Sequence, residues 1–123
     1  MVAPKVIPRY VYKIVEEAPA EPFPETFTPS ELDKKDGFIH LSTSWQVPIT
    51  ADLFFKDFSR FWVVKVRLER FAASTNWDDA PDTDGCPHLY GSFGREDVDS
   101  VKGFERNDGE TWAQVLKGNA WLE

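Results

Sequence analysis

The chain has 123 residues, of which 41% are hydrophobic and 15% aromatic, and its formal net charge is −7. This length predicts one domain with its own core, and the aromatic content excludes a chain that is disordered throughout. The negative charge excludes sequence-independent binding to a nucleic-acid backbone, which needs clustered Lys and Arg, while a few local donors are enough for a small phosphorylated ligand.

The single cysteine, Cys86, cannot form an internal disulfide and provides no metal framework. The first residues, MVAPKVIPRY, lack the apolar core of a secretory signal, and no run approaches the roughly 18–20 apolar residues of a membrane helix. We therefore expect an intracellular protein, by default cytoplasmic although the nucleus stays open, with no membrane partner and no metal.

The first predicted elements follow a leader. Residues 1–9 are expected to be a flexible leader, since Pro4 and Pro8 oppose regular pairing, and residues 10–123 a single domain. A strand is predicted over residues 10–15, YVYKIV, and four prolines between residues 19 and 29 then predict a surface loop. A capping box from Thr28 to Glu31 predicts a short helix through about Lys35.

A second strand is predicted over residues 38–42, and the hydroxyl residues at 42–44 predict the start of a helix that reaches about Phe58. Ile49, Leu53 and Phe54 would share one face of this helix. The clearest strand begins at Phe61 with FWVV, which indicates burial on both faces, and the alternation that follows places one face of its second half in water.

Turn-forming residues fill positions 75–87, with a short strand expected at Trp77. Strands are predicted at residues 88–93 and 98–104, joined by a turn at Gly94, and the tail from Trp112 is expected to dock as a short helix or strand. This mixture predicts an α+β fold with small mixed or antiparallel sheets and two or three short helices.

The first candidate site surrounds His40. In a strand, Phe38, His40 and Ser42 share one face, while Ile39 and Leu41 face the core. The strand leads into a helix start, where free backbone N–H groups favour anions, so the segment fits a pocket for ribose or phosphate. The alternative is a half-buried histidine bonded to a backbone carbonyl beside an ordinary helix cap.

The second candidate is the segment His88-Leu89-Tyr90-Gly91. His88 and Tyr90 would share a face, the tyrosine ring could receive a flat group, and Gly91 permits close approach of a ligand. The alternative is a sheet-edge turn with a partly buried tyrosine. Because the chain has no other histidines, one site shared by His40 and His88 is our hypothesis.

Other chemistries receive less support from the sequence. Two histidines and one cysteine lack the ligand spacing of a zinc site, and no G-x-S-x-G pattern supports a serine nucleophile. Most paired carboxylates are expected to be solvated, and only Asp78, beside Trp77, is a candidate for a functional role.

The chain also resembles a known family in a series of short motifs. The motifs are YKI (residues 12–14), DGFIHLST (36–43), QV (46–47), TA (50–51), FF (54–55), WD (77–78) and PHLYG (87–91). In this order they resemble the family called domain of unknown function 952, found in bacteria and fungi, over about residues 10–104. The resemblance implies a fold similar to that of ADP-ribosyltransferases, which hold NAD in a cleft between two small sheets.

A narrower likeness is to RNA 2′-phosphotransferases, which carry the pattern H-x-H-L-S. The chain matches at His40-Leu41-Ser42 but has Phe38 in place of the first histidine and Asp36 in the region where that family has arginine. These departures, with the negative net charge, argue against recognition of RNA phosphates.

The resemblance implies NAD or ADP-ribose as cofactor, with His40 on the ribose and Tyr90 on the nicotinamide. The cofactor-binding candidates are His40, Ser42, Thr43, Gln46, Tyr90 and Gly91, and the catalytic candidates are His40, His88 and Tyr90. We thus expect a domain that binds a nucleotide or ADP-ribose-like ligand in this cleft and that could act as an NAD-dependent transferase.

Two rival functions stay open. One is a non-enzymatic protein-interaction or ligand-sensing module, in which aromatic residues such as Trp112 and Trp121 would contact a partner. The other is a hydrolase built on the two histidines. The sequence does not fix the oligomeric state.

Overall fold

The computed structural model describes residues 6–78 and 85–123. The first five residues of the predicted leader and residues 79–84 of the predicted turn-rich section lie outside these ranges. Within them, no helix is both long and apolar enough to span a bilayer.

The described chain forms two three-stranded antiparallel sheets and three short α-helices, which confirms the α+β prediction. The strands are β1 (Tyr10–Val15), β2 (Ile39–His40), β3 (Arg60–Arg67), β4 (Thr75–Asp78), β5 (Cys86–Leu89) and β6 (Val98–Glu105), and the helices are α1 (Glu31–Asp36), α2 (Val47–Phe54) and α3 (Trp112–Leu116). The first sheet has the order β1-β3-β6 and the second the order β2-β5-β4.

The alternation of β3 explains how these elements are layered. Val64 and Val66 belong to a core shared with residues of the second sheet, such as Leu89. Phe61 and Val63 point the other way, into a core shared with α2 and α3. The first sheet therefore lies between the two helices and the second sheet, and the apolar run of β3 is buried on both faces as predicted.

The second half of β3 was expected to have one face in water, and this is wrong. Lys65 is buried because the C-terminal segment covers it: its ammonium donates a hydrogen bond to the Trp121 carbonyl at 2.8 Å and pairs with the Glu123 carboxylate. A lysine in a strand is thus satisfied by a segment far away in the sequence.

Helix boundaries differ from the prediction in two places. The N-cap of α1 is Ser30, and the capping box pairs it with Asp33 rather than pairing Thr28 with Glu31. Helix α2 begins only at Val47 and ends at Phe54, short of the predicted Phe58, and its N-cap makes no side-chain hydrogen bond.

The apolar residues predicted to share one face of α2 do not lie on its buried face. The helix buries Val47 and Ala51, whereas Ile49, Leu53 and Phe54 are exposed, the last two by 63% and 68%. Residues 47 and 51 have the same four-residue spacing as 49 and 53, so helical periodicity fits both stripes and only the packing against β1 and α3 decides between them.

The strand predicted at residues 88–93 already ends at Leu89, and β5 lies in a different sheet from β6. The connection contains Gly94, where an added Cβ would lie 1.6 Å from the Glu25 carbonyl oxygen. Backbone hydrogen bonds from Phe27 to Phe93 and from Arg95 to Pro24 join the two segments at this point. The proline-rich loop therefore docks on the β5–β6 connection.

Candidate functional site

The two histidines lie directly opposite each other on neighbouring strands. His40 of β2 pairs with His88 of β5 in the antiparallel register, and such partners point to the same face of a sheet. Their ring centroids are 5.5 Å apart with the planes at 68°. The structure thus brings together the two imidazoles that the sequence places 48 residues apart.

Phe38 lies among these rings. Its centroid is 4.2 Å from that of His88, nearly parallel, 4.7 Å from that of His40 and 5.1 Å from that of Tyr90. We call Phe38, His40, His88 and Tyr90 the ring surface. Tyr90 is 48% exposed and the two imidazoles are partly exposed, so the outer side of this surface meets solvent.

Two surface depressions of about 170 and 450 Å³ lie elsewhere on the molecule. The smaller is lined by residues 57–59 and 106–110, and the larger by residues 6–10, 44, 45 and 123. Neither contains a residue of the ring surface.

Asp33 is the centre of a hydrogen-bond network beneath His40. Its Oδ1 accepts from the Lys13 ammonium at 3.0 Å, from the His40 backbone N–H at 3.0 Å and from His40 Nδ1 at 2.6 Å. Its Oδ2 lies 2.9 Å from the Lys13 ammonium and accepts the Ser30 N–H at 3.1 Å. This network links β1, α1 and β2 around one buried carboxylate.

The network keeps Asp33 ionised. Burial alone would raise the pKa of Asp33, but the hydrogen bonds from His40 and the charge of Lys13 together hold that pKa well below its usual range. An ionised carboxylate only accepts hydrogen bonds, so the Nδ1 atom of His40 carries a proton.

His40 also contacts a second carboxylate, because its Nε2 lies 2.9 Å from Asp36 Oδ2 at the end of α1. The capping box of α1 fixes the first turn of this helix, and Gly37, with a φ of 80°, ends it. As a result two of the acidic residues of α1, Asp33 and Asp36, contact the imidazole of His40, one at each ring nitrogen.

His88 has a carboxylate of its own. Its Nδ1 lies 2.6 Å from Asp78 Oδ2. Asp78 belongs to the adjacent strand β4, in which Asn76 is the register partner of His88. Burial lowers the pKa of His88 below its ordinary value of 6.5, and the hydrogen bond and charge of Asp78 oppose this shift only in part. His88 is therefore held in the neutral form more strongly than a free imidazole.

The predicted cofactor contacts Ser42, Thr43 and Gln46 are buried. Ser42 exchanges two backbone hydrogen bonds of 2.8 Å with Tyr12 and so joins the second sheet to β1. Gln46 accepts the Thr43 N–H at 3.0 Å and donates to the Gly85 carbonyl at 2.7 Å. These contacts support the strand-to-helix turn, and Gly91 lies just past Tyr90 at the exposed end of the segment.

Sequence reasoning did not name Asp33, Lys13 or Phe38 as site residues, whereas it named Asp78 as a candidate for a functional role. Asp33 and Lys13 carried no recognisable signal, because the contacts that bring them to His40 depend on the tertiary structure. Phe38 was placed on the face of His40 by strand alternation, but it was not named as a member of the site. Asp78, singled out for its place beside Trp77, is bonded to His88.

In the described ranges, no group of three or more His, Cys, Asp and Glu residues is arranged to hold a metal ion. Trp112 is completely buried against Phe61 and its indole N–H donates to the Phe55 carbonyl. It therefore cannot contact a partner as the interaction hypothesis assumed, while Trp121 packs on Tyr12.

Comparison with known proteins gives one family and one structural relative. The model of a family described as "Protein of unknown function (DUF952)" matches residues 15–101. No curated protein matches the chain significantly.

The crystal structure of protein CC0527 from Caulobacter crescentus has a TM-score of 0.71 and 25% identity, and covers 83% of this chain and 91% of its own. The solution NMR structure of CC0527 has a TM-score of 0.66 and 26% identity, and covers 81% and 88%. Neither comparison tests the ADP-ribosyltransferase-like fold or the likeness to RNA 2′-phosphotransferases, which stay predictions.

Proposed function

The chain belongs to the DUF952 family of proteins of unknown function, and we propose that it binds a small nucleotide or ADP-ribose-like ligand on the ring surface. One observation carries the proposal: two imidazoles from opposite positions of β2 and β5, a phenylalanine and a half-exposed tyrosine converge on one solvent-facing patch.

The shape of the patch suits a flat heterocycle. Base–aromatic stacking is worth about 1–3 kcal/mol and does not depend on the identity of the base. Tyr90 offers an accessible ring and hydroxyl for this contact, and Phe38 holds the neighbouring rings in place. Imidazole nitrogens can exchange hydrogen bonds with ribose hydroxyls, so His88 supplies a polar group at the edge of the stacking surface.

The charges of the site select which end of a nucleotide it contacts. Asp33, Asp36 and Asp78 contribute three carboxylates, and Lys13 contributes one ammonium group. The surplus of negative charge repels phosphate groups, so we expect the base and ribose to lie on the ring surface and any phosphates to extend away from it.

We propose NAD and ADP-ribose as the first ligands to test, with a transferase reaction on NAD as the finer hypothesis. Such a reaction would need a carboxylate near the nicotinamide ribose to stabilise the positive charge that develops there. Asp36 and Asp78, which flank the two imidazoles, are candidates for that group. Ser42, Thr43 and Gln46 would then act by holding the strand-to-helix turn, and Gly91 by leaving space beside Tyr90.

The test is a titration of the purified protein with NAD, ADP-ribose and adenosine, followed by melting temperature and tryptophan fluorescence. A ligand at 100 times its dissociation constant should add about 2.7 kcal/mol to the free energy of unfolding. Phe38→Leu and Tyr90→Leu should weaken binding at least several-fold. Phe54→Leu is the matched control, since it removes an exposed aromatic ring outside the ring surface. Equal effects of Phe38→Leu and Phe54→Leu would place the ligand elsewhere.

A protein-interaction module is the second candidate, and a different observation favours it. Ile49 and Leu53 are exposed one helical turn apart on α2, and Trp45, which precedes the helix, is exposed as well. Contiguous exposed apolar surface often marks an interaction site. If sedimentation shows self-association that Leu53→Asp abolishes, while nucleotides do not bind, this candidate replaces the first.

A further inference from the structure

We propose that His40 and His88 are a general acid and a general base that together hydrolyse the N-glycosidic bond of an uncharged nucleoside. This inference rests on the proposed binding of a base and ribose at the ring surface and assigns a reaction to it. Three features carry it: the different hydrogen-bond environments of the two imidazoles, their separation, and the sign of the surrounding charge.

His40 lies between two carboxylates. Its Nδ1 lies 2.6 Å from Asp33 and its Nε2 lies 2.9 Å from Asp36. A carboxylate accepts hydrogen bonds, so an N–H at Nε2 of His40 can donate to Asp36. Asp33 is locked by Lys13, whereas Asp36 is partly exposed at the end of α1. Asp36 can therefore turn away and release the Nε2 proton toward a ligand.

Burial lowers the pKa of His88 and so favours its neutral form, in which one ring nitrogen can accept a proton. Its Nδ1–H donates to Asp78 at 2.6 Å. Within residues 6–78 and 85–123, no hydrogen bond occupies its Nε2 atom, which leaves a lone pair there to accept a proton. The charged groups near this ring are Asp78 on β4, His40 on β2 and Asp36 on α1. A carboxylate that fixes one nitrogen so that the other serves as a base is a common arrangement in catalysis.

The two rings are close enough to contact the same ligand, because their centroids are 5.5 Å apart on one partly exposed face. A base stacked beside Tyr90 would put its glycosidic bond near both imidazoles, with a water molecule on the other side of the anomeric carbon.

The charge of the site selects the kind of bond. Cleavage of a glycosidic bond passes through an oxocarbenium-like transition state with developing positive charge. Three carboxylates around the rings stabilise such charge, whereas they would oppose the oxyanion formed from an ester, amide or phosphodiester. The carboxylates therefore favour glycoside cleavage over the other hydrolytic reactions that an acid and a base can perform.

In the proposed step, a water molecule gives a proton to His88 Nε2 while its oxygen forms a bond to the anomeric carbon of the ribose. The bond from that carbon to the base nitrogen breaks, and its electron pair stays on the base. The nucleobase takes the proton from His40 Nε2 and leaves as the free base, and the sugar is released as ribose. His88 then loses a proton to solvent and His40 regains one, so the cycle consumes only water and nucleoside.

The experiment measures release of free base from adenosine, inosine and cytidine by chromatography, with binding of the same nucleosides measured separately by melting temperature. His40→Asn and His88→Asn form a matched pair, because asparagine can keep the hydrogen bond made by Nδ1 and lacks the Nε2 function. Each should lower the rate about 10²–10⁴-fold while nucleoside binding persists. Phe54→Leu should leave the rate unchanged.

The pH profile separates a catalytic from a structural role. The acidic limb of the wild-type rate should lie below pH 6.5, because burial lowers the pKa of His88, and His88→Asn should abolish this limb. Nucleoside binding without release of base by the wild-type protein would overturn the inference and leave the proposed function standing. Release of base that survives His88→Asn would also overturn it. Absence of binding by any nucleoside or nucleotide would remove both proposals.

Discussion

Asp33→Asn should destabilise the protein strongly, because the Asp33 carboxylate is 2% exposed and neutralises a lysine that is 6% exposed. Asparagine has the same shape, but its one carbonyl oxygen can accept only one of the two backbone N–H groups, since Ser30 donates to Oδ2 of Asp33 and His40 to Oδ1. The substitution also removes the negative charge that faces the Lys13 ammonium at 2.9–3.0 Å.

Removal of one partner of a buried ion pair costs about 3–5 kcal/mol, because the other charge is left without compensation. A domain of this kind has a total stability of about 5–15 kcal/mol, so the variant should lose a large share of it. The assay is urea unfolding at pH 7, followed by the fluorescence of the five tryptophans.

Two further variants locate the cause. Asp36→Asn removes a partly exposed carboxylate that contacts His40 alone and should cost less than about 1 kcal/mol. Lys13→Met combined with Asp33→Asn removes both charges, so it should be more stable than Asp33→Asn by about 0.5–3 kcal/mol. If Asp33→Asn costs no more than Asp36→Asn, or the double variant is the least stable, the buried pair does not hold β1, α1 and β2 together.

Stability should also depend on pH through Asp33, because the pKa of Asp33 is lower in the folded than in the unfolded protein. Its contribution to stability is complete above the unfolded pKa of 3.8 and is lost as pH falls through the folded pKa. Acid unfolding of Asp33→Asn should not show this loss. For His88 the folded pKa is also lowered, so the unfolded chain binds more protons just below pH 6.5; stability should decrease there as pH falls, and His88→Asn should remove that decrease. Gly94→Ala should cost about 1–3 kcal/mol or more of stability, because the new methyl group overlaps the Glu25 carbonyl. The variant should have a lower melting temperature, and a glutamate-specific protease should cleave residues 16–25 faster. Wild-type behaviour in both assays would contradict the docking of this loop on the β5–β6 connection.

The fold class and the strands were predictable because their signals are local. The alternation of residues 38–42 correctly placed Ile39 and Leu41 in the core, and the apolar run from Phe61 correctly indicated burial on both sides. The buried stripe of α2 was not predictable, since residues 47 and 51 and residues 49 and 53 satisfy the same period. Lys65 could not be placed either, because only the distant C-terminal segment satisfies its charge.

The meeting of His40 and His88 was suggested by their rarity, but their chemistry was not. Alternation gives the face of a side chain within its own strand and says nothing about which strand lies next to it. The pairing of β5 with both β2 and β4 brings Asp78 to His88, and the packing of α1 on β2 brings Asp33 to His40. The carboxylate that contacts each imidazole therefore depends on the topology of the fold.

The two histidine–carboxylate pairs differ in how closely they are tied to the fold. Asp33 of α1 is buried and hydrogen-bonded to Lys13 of β1 and His40 of β2. Any substitution of Asp33 therefore alters stability as well as the environment of His40. Asp78 is partly exposed, and its side chain reaches His88 from the end of β4. Substitution there can change the tautomer of His88 at little cost in stability, because partly exposed ion pairs contribute little. The His88 side is therefore where chemistry can be altered without unfolding the protein, and a functional effect of Asp78→Asn at unchanged melting temperature distinguishes a working site from a structural pair.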